Sequence, residues 1–470
     1  MFQSISPNQL NQLQDLLGHA YVHTQLETRQ QYGQDQTEDL QFLPAVVVQP
    51  ANTQEISALM RWCYQEEIPV TPRGAGTGLA GGALPVCGGV VLSLERLNRV
   101  LHLDEESLQV TVEPSVITQE LQELVQAKGL YYPPDPASSG SCSIGGNVAT
   151  NAGGPRAVKY GVVKDYVLNL EVVLPTGEII WTGANTLKNS TGYNMTALLV
   201  GSEGTLGIIT KIVLKLVPYP SHQLLLLASF ASVEAACKAV VAIFKAGITP
   251  SALEFMERKA LQLSAAYLGQ KAPSEAVQAQ LLIEVDGSQL EHLYLDCEQI
   301  DAVLQPLGCT ELLFAEDTAT KNKLWALRRN LNPAVKKHAA AVKKADTVVP
   351  RAALPALLQG IHQIAAHYGL SAVNYGHAGD GNVHVTLMRE QQSEEEWTEK
   401  MPPAIAAVFE LVAQLGGTIS GEHGIGWLQR PYLPLVFSPV ELGLMQQIKK
   451  VFDPKGLLNP AKLWEDGFDS

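Results

Sequence analysis

The 39 glycines are not many for 470 residues, but they gather at five places: Gly74 to Gly89, Gly140 to Gly161, Gly201 to Gly207, Gly376 to Gly381 and Gly416 to Gly426. Glycine weakens helix and strand interiors and admits positive φ, so each cluster marks backbone that departs from regular structure. A chain with five such segments must fold around them, and long irregular segments inside compact domains usually exist to bind something. The remainder can build cores. Apolar residues make up 46% and charged residues only 17%, against roughly 25% in an average soluble protein, which excludes disorder. At about 150 residues per domain, two or three domains are expected.

The net charge is −14, from 33 Lys and Arg against 47 Asp and Glu, with no basic block. Extended contact with nucleic acid needs clustered cations to neutralise phosphates, so it is not expected. The most apolar stretch, Leu224 to Ile248, is interrupted by Ser229, Glu234 and Lys238, so no transmembrane segment is expected. Arg29 is the first cation, which leaves no charged n-region for a secretory signal; a cytoplasmic location is expected, peripheral to a membrane only through a partner. The six cysteines form no C-x-x-C pair and read as reduced thiols rather than a zinc site, iron–sulfur cluster or disulfide framework.

Leu10, Leu13, Leu16 and Leu17 recur at helical spacing in a Gln-rich start, giving an N-terminal helical segment over 1–40. A strand in AVVVQP, a helix over Thr53 to Glu66 and a strand in PVTPR follow. Further strands are expected at Val90 to Ser93, Gln109 to Val112, Asn169 to Leu174 and Ile208 to Leu216, with a turn at Pro175 to Gly177. After Pro218 and Pro220 the runs LLLLASF, AQLLIEV and ELLFAE alternate with Ala-rich helical stretches, which suggests helices covering one face of an antiparallel sheet. A hairpin in VNYGHAGDGNVHVTLM and a helix across Pro403 to Leu415 come next; SEEEW reads as a solvated helix start.

The first cluster, PRGAGTGLAGG from Pro72 to Gly82, follows a strand and contains Gly76-x-Gly78-x-x-Gly81. A Rossmann loop would open a long helix, but Gly81-Gly82, Pro85 and Gly88-Gly89 would break one here. What remains is a nest of backbone N–H groups suited to an anion, or a plain glycine-rich surface turn. The second cluster, PPDPASSGSCSIGGNVATNAGG from Pro133 to Gly154, suits neither helices nor regular strands. Its small residues admit a flat ligand, and its Ser, Asn and Thr offer uncharged hydrogen bonds. GSEGTLGII, Gly201 to Ile209, repeats this chemistry just before a strand.

In this order and at these separations, PRGAGTGLAGG, GSCSIGGNVATNAGG and GSEGTLGIIT resemble the FAD-binding domain of the vanillyl-alcohol oxidase superfamily. The C-terminal strings narrow the resemblance to the D-lactate, glycolate and D-2-hydroxyglutarate dehydrogenases, the branch that includes FAD-binding subunits of glycolate oxidase. The resemblance implies an α+β fold: a two-subdomain FAD-binding domain of the vanillyl-alcohol oxidase type over 41–220, an α+β substrate (cap) domain with an antiparallel sheet over 221–425, and a segment 426–470 returning to the FAD domain. It implies a pyrophosphate cradle from Arg73, Gly74, Ala75, Gly76, Thr77, Gly78 and Leu79. Pro134, Ser138, Ser141, Gly145, Gly146, Asn147, Thr150, Gly204, Ile208 and Ile209 would line the rest of the flavin site, with Asn459 near the isoalloxazine ring. The first loop has no His and Cys87 lies beyond it, so the FAD is expected to be non-covalent.

If Ala378 to Asn382 connects a hairpin, His377 and His384 lie close enough across the strands to ligate one metal ion, while Asp380 serves the turn. Two imidazoles and a carboxylate leave positions open for substrate oxygens. The strings GHAGDGNVHV and GEHGIG resemble those of the same branch; the resemblance implies His377, His384 and Glu422 as ligands and His423 as base. Zinc is favoured by the imidazoles, with manganese and iron as alternatives. The helical segment Leu324 to Leu331 matches the motif whose arginine holds the substrate carboxylate, which points to Arg328, with Arg329 turned about 100° away toward solvent. In D-2-hydroxyglutarate members a threonine and a lysine assist. Here Asn332 replaces the threonine and Lys344 matches the lysine, although the lysines from Lys336 to Lys344 also read as a basic helix face.

The expectation is therefore a dehydrogenase passing hydride from a small D-2-hydroxy acid, D-lactate or glycolate, to flavin N5, with a divalent metal and a His base assisting. D-2-hydroxyglutarate is the rival substrate. Rivals of other classes are a non-redox FAD enzyme of the alkylglycerone-phosphate synthase type and a non-catalytic flavoprotein scaffold. Electrons would leave to an external acceptor: a quinone, a cytochrome, an electron-transfer flavoprotein, an iron–sulfur subunit or oxygen. A homo-oligomer is compatible with all of these.

Overall fold

The computed structural model describes residues 5–38 and 40–464; residues 1–4 and 39 of the N-terminal segment and 465–470 of the returning segment lie outside the described residues. The chain separates into two compact units. The first comprises the residues up to Gly153, Val162–Tyr219 and the residues from Glu422 onward; the second comprises Gly154–Gly161 and Pro220–Gly421.

In the first unit the helix Pro7–Leu17 starts from a capping box between Ser6 and Gln9 and buries Leu13 and Leu17. The helix Thr53–Glu66 is capped by Asn52, whose side chain accepts from the Glu55 N–H, and it buries Ile56, Leu59, Met60 and Cys63 along one stripe. Both contribute to the core of a four-stranded sheet ordered Val22–His23, Val46–Val48, Val90–Ser93, Val70–Arg73. Its last three strands are parallel, and Val46–Val48 and Val90–Ser93 are buried throughout, which is why they read as unbroken apolar runs. Residues Leu457 to Asn459 continue this sheet beyond Val70: the Val70 N–H donates to Leu457 and the Asn459 N–H to Val70.

A five-stranded antiparallel sheet is ordered Val100–Asp104, Gln109–Val112, Ile208–Lys215, Val167–Val173, Ile179–Trp181. The expected Pro-Thr-Gly turn joins its last two strands, with Gly177 at φ 92 and its N–H on the Leu174 carbonyl. The second glycine cluster is more regular than its composition suggests. It contains the seven-residue helix Ile144–Thr150, capped by Ser143. Burial of Ile144 and Val148 and the Ser143 cap outweigh the about 1 kcal/mol that each helical glycine costs.

The second unit is built on a seven-stranded antiparallel sheet ordered Cys309–Ala315, His222–Phe230, Ala279–Gly287, Ala252–Glu257, Ser371–His377, Asn382–Arg389, Ala341–Val348. All residues of Ala252–Glu257 are buried, so helices cover both faces rather than the expected one. The helices Arg258–Tyr267, Thr318–Arg329 and Leu331–His338 pack on the face that carries Leu225, Leu227, Met256, Leu282 and Tyr375. The helices Val233–Lys245, Leu290–Leu304 and Leu354–His367 also lie against the strands. The unbroken LLLL run was the sign of two-sided burial.

Two further expectations are corrected. The helix expected across Leu324 to Leu331 ends at Arg329, and Asn330, whose side chain donates back to the Ala326 carbonyl, separates it from the next helix. Lys343 and Lys344 belong to the strand Ala341–Val348, not to a basic helix face. The helix Glu394–Gln414 starts at Ser393, whose capping box explains the acidic SEEEW start.

Candidate active site

In the first unit the strand Val70–Arg73 delivers the first glycine loop. Gly76 has φ 69, and a Cβ there would collide with the Arg73 guanidinium folded across the loop. A Cβ at Gly74 would lie 2.7 Å from Ser143 Oγ, so this loop runs against the start of the helix Ile144–Thr150. Asn459 joins the third segment to the first: its side-chain amide donates to Glu203 at 2.8 Å and to Gly82 at 3.0 Å. Arg73 to Gly82, Ser143 to Thr150, Glu203 to Gly204 and Asn459 thus converge.

These residues fit a dinucleotide with a flat ring. Arg73 Nη1 is buried without a hydrogen-bond partner among the described residues, a donor that a bound anion could satisfy. Tyr132 Oη and Ser115 Oγ, in the same unit, are likewise buried without partners. Several expected flavin residues instead spend their polar groups internally. Asn147 donates to Thr118, Thr150 to the Gly146 carbonyl, and the exposed Ser141 to the Ser138 carbonyl. Ala152 donates back to the Asn147 carbonyl, and Gln122 donates to that of Pro134. Gly145 is pressed against Pro114, while Ile208 lies in the hydrophobic core beside Ile209.

Sequence reasoning passed over Glu203 and Lys462. Glu203 is buried, and its two oxygens accept the N–H groups of Ile425 and Gly426 at 2.8 Å each, which anchors the GEHGIG loop within this unit. Burial pushes its carboxyl above the usual range, partly offset by those two N–H groups. In the same loop the Glu422 carboxylate lies alongside Gly153, where a Cβ would be 3.1 Å from it. Lys462 donates to the Leu84 carbonyl and to Asn459; burial pushes its ammonium down to about 8.

In the second unit the expected hairpin is present. Asp380 accepts from the Asn382 N–H in the turn, and Gly381 has φ 86. Tyr375 lies opposite His384, so His377, two residues on, shares the same face diagonally. The two Nε2 atoms are 3.4 Å apart. Two nitrogens about 2.1 Å from one zinc ion at a tetrahedral angle stand about 3.4 Å apart, so the pair is spaced for a common ion.

Each outer nitrogen faces a carboxylate that the motifs did not reveal. His377 Nδ1 is 2.7 Å from Glu254, and His384 Nδ1 is 3.5 Å from Asp346, its partner across the strands. Histidine ligands are commonly oriented this way. Asp346 also accepts from Asn382 and from the N–H of Gly421, the residue before Glu422 in the chain. Arg328 Nε donates to Glu254 at 2.6 Å, and its guanidinium lies 5.0 Å from the Tyr375 ring centroid. Burial alone would raise the Glu254 carboxyl, but the adjacent His377 and Arg328 bring it below its ordinary value. Lys344 shares the face of Asp346 and His384, opposite Thr386. Arg329 turns away, over Trp325.

The described residues contain no helix long and apolar enough to cross a membrane. The FAD binding domain family matches residues 44–183, and the family "FAD linked oxidases, C-terminal domain" matches 219–463. The chain is 40% identical to the glycolate oxidase subunit GlcD of Bacillus subtilis, covering 92% of each. It is 38% identical to a D-lactate dehydrogenase of Anaerostipes hadrus, covering 89% of each. The crystal structure of p-cresol methylhydroxylase shares the fold at a TM-score of 0.82 and 17% identity, over 99% of each chain. The paired FAD-domain and C-terminal-domain matches and the extent of the relatives make this chain a member of the FAD-linked oxidase family, an FAD-linked oxidoreductase of the vanillyl-alcohol oxidase superfamily related to glycolate oxidase subunits and D-lactate dehydrogenases.

Proposed function

We propose that this chain oxidises a small D-2-hydroxy acid, D-lactate or glycolate, to the 2-oxo acid, with residues 41–220 binding non-covalent FAD, 221–425 holding the substrate and 426–470 returning to the FAD-binding part. The observation that carries the reading is the convergence of Arg328, His377 and His384 on one sheet face. Bound FAD supplies the two-electron acceptor at N5, and a divalent ion, zinc before manganese or iron, supplies a Lewis acid.

Arg328 keeps both terminal nitrogens for the substrate carboxylate, because its Nε is engaged by Glu254. His377 and His384 offer paired Nε2 atoms to the ion; Glu422, next in the chain to the Gly421 that Asp346 holds, is the third ligand. His423 takes the hydroxyl proton as the general base. Arg73 and the loop to Leu79 hold the pyrophosphate, and Asn459 borders the flavin ring.

Asn332, where D-2-hydroxyglutarate members carry threonine, favours a monocarboxylate; Lys344, on the site's own sheet face, favours the dicarboxylate alternative. An external acceptor takes the electrons: a quinone, a cytochrome, an electron-transfer flavoprotein or an iron–sulfur subunit. We place the protein in the cytoplasm, peripheral to a membrane only through a partner.

The test is the visible spectrum of the purified protein under anaerobic titration with D-lactate, glycolate and D-2-hydroxyglutarate. Bleaching of a flavin band by the first two acids is expected. Bleaching by D-2-hydroxyglutarate alone would replace the substrate. No bleaching by any acid would favour the non-redox or scaffold alternatives.

A further inference from the structure

We propose that Glu254 is a positioning residue that sets the substrate-holding arginine and the metal-holding histidine together. The inference rests on the roles proposed above for Arg328 and His377.

Antiparallel register places Glu254 directly opposite His377, while Met256 lies opposite Tyr375, the ring that flanks Arg328. Side chains directly opposite share a face, so the contact follows from strand pairing. Glu254 is fully buried, where a lone carboxylate would be costly. Its oxygens divide the work: Oε1 faces His377 Nδ1 at 2.7 Å and Oε2 accepts from Arg328 Nε at 2.6 Å.

Two consequences follow. A carboxylate at Nδ1 selects the tautomer with the proton there, which leaves the Nε2 lone pair for an ion and makes it more basic. On the other side, engaging Nε orients the guanidinium so that its two terminal nitrogens form the free edge, the edge that binds a carboxylate bidentately. One side chain therefore couples substrate affinity to metal affinity.

A comparison lies on the adjacent strand, where Glu284 pairs with Ala252, two residues before Glu254. Glu284 is equally buried and holds the same helix through Trp325 Nε1 at 3.1 Å and the segment Gly154–Gly161 through Arg156 at 2.8 Å, but it contacts neither histidine. It braces the scaffold without addressing the ion.

The experiment uses the full-length flavoprotein with Glu254→Gln, Glu254→Asp, Glu284→Gln, Arg328→Ala, His377→Ala and the double variant Glu254→Gln/Arg328→Ala. Zn²⁺ affinity of metal-stripped protein is measured by chelator competition, and KM and kcat are measured for the 2-hydroxy acid that bleaches the flavin. Glu254→Gln is expected to weaken Zn²⁺ binding about tenfold to a hundredfold and to raise KM at least about tenfold. Adding it to Arg328→Ala should raise KM no further yet still weaken Zn²⁺ binding. Glu284→Gln should leave Zn²⁺ affinity within about twofold of the parent.

Where Glu254→Gln does not fold, Glu254→Asp serves: its shorter carboxylate cannot span both partners, so Zn²⁺ affinity or KM must change. Parent-like Zn²⁺ affinity in Glu254→Gln, a KM effect that multiplies with that of Arg328→Ala, or a Glu284→Gln loss as large as that of Glu254→Gln would overturn the proposal. Failure of the underlying roles looks different: Arg328→Ala with unchanged KM, or His377→Ala with unchanged Zn²⁺ affinity, removes those roles and this coupling with them.

Discussion

The carboxylate of Glu203 accepts the backbone N–H of Gly426 at 2.8 Å, so the third glycine cluster holds the last one in place although 223 residues separate them. Glu203→Ala should leave the buried Gly426 N–H without its acceptor, costing about 1–3 kcal/mol, remove the acceptor of the part-buried Ile425 N–H as well, and loosen the loop that carries Glu422 and His423. We expect a thermal midpoint lowered by several degrees and kcat reduced at least about tenfold, with Glu203→Gln milder because its amide oxygen can still accept. Unchanged kcat in the alanine variant would show that the loop is positioned by other contacts.

Arg73 is the one cation of the first loop, and its buried Nη1 lacks a partner among the described residues. Arg73→Met preserves much of the side-chain bulk and removes the charge. Flavin retained per protein after gel filtration is expected to fall at least about tenfold, with recovery on adding excess FAD. Full retention would move the pyrophosphate elsewhere.

For His423 the separation of binding from chemistry is decisive. His423→Ala should keep its flavin but slow substrate-dependent bleaching at least about a hundredfold, as expected when a positioned base is lost. Stopped-flow spectroscopy at saturating acid checks this, and a parent-like rate would remove His423 from the mechanism.

The second unit also carries a pH response. His362 Nε2 lies 3.0 Å from Glu257, and this hydrogen bond lifts the imidazole above its ordinary value. A raised folded-state pKa means that the folded protein holds the proton longer than the unfolded chain. The contribution is present below the unfolded pKa and disappears as pH rises through the folded one. Because His362 is half-exposed, the effect is small. The thermal midpoint of the parent relative to His362→Gln should fall as pH rises above the ordinary imidazole value of about 6.5; parallel profiles would show that the contact carries no linked proton.

Local signals were legible where one segment decides its own structure. Thr53–Glu66 was readable from Thr53 and Glu55 at its start, and Val90–Ser93 from an unbroken apolar run. The histidine hairpin was readable because the pair is seven residues apart around a turn. Glu254 and Asp346 were not, since each is a single carboxylate in a short strand whose purpose is set by register with a distant strand; His377 follows Glu254 by 123 positions. Glu203 stood inside a recognised motif, but its partners come from the other end of the chain. The helix Ile144–Thr150 was missed because its glycines argue against it until the burial of Ile144 and Val148 is known.

The path of the chain has a consequence for synthesis. It passes between the two units four times, after Gly153, Gly161, Tyr219 and Gly421. The strand that carries Arg73 remains a sheet edge until Leu457 to Asn459 arrive beside Val70. A chain lacking those residues has made the first glycine loop but not the segment that pairs beside Val70 and bonds Glu203 through Asn459, so this grouping of loops forms only after Leu457 to Asn459 have been synthesised.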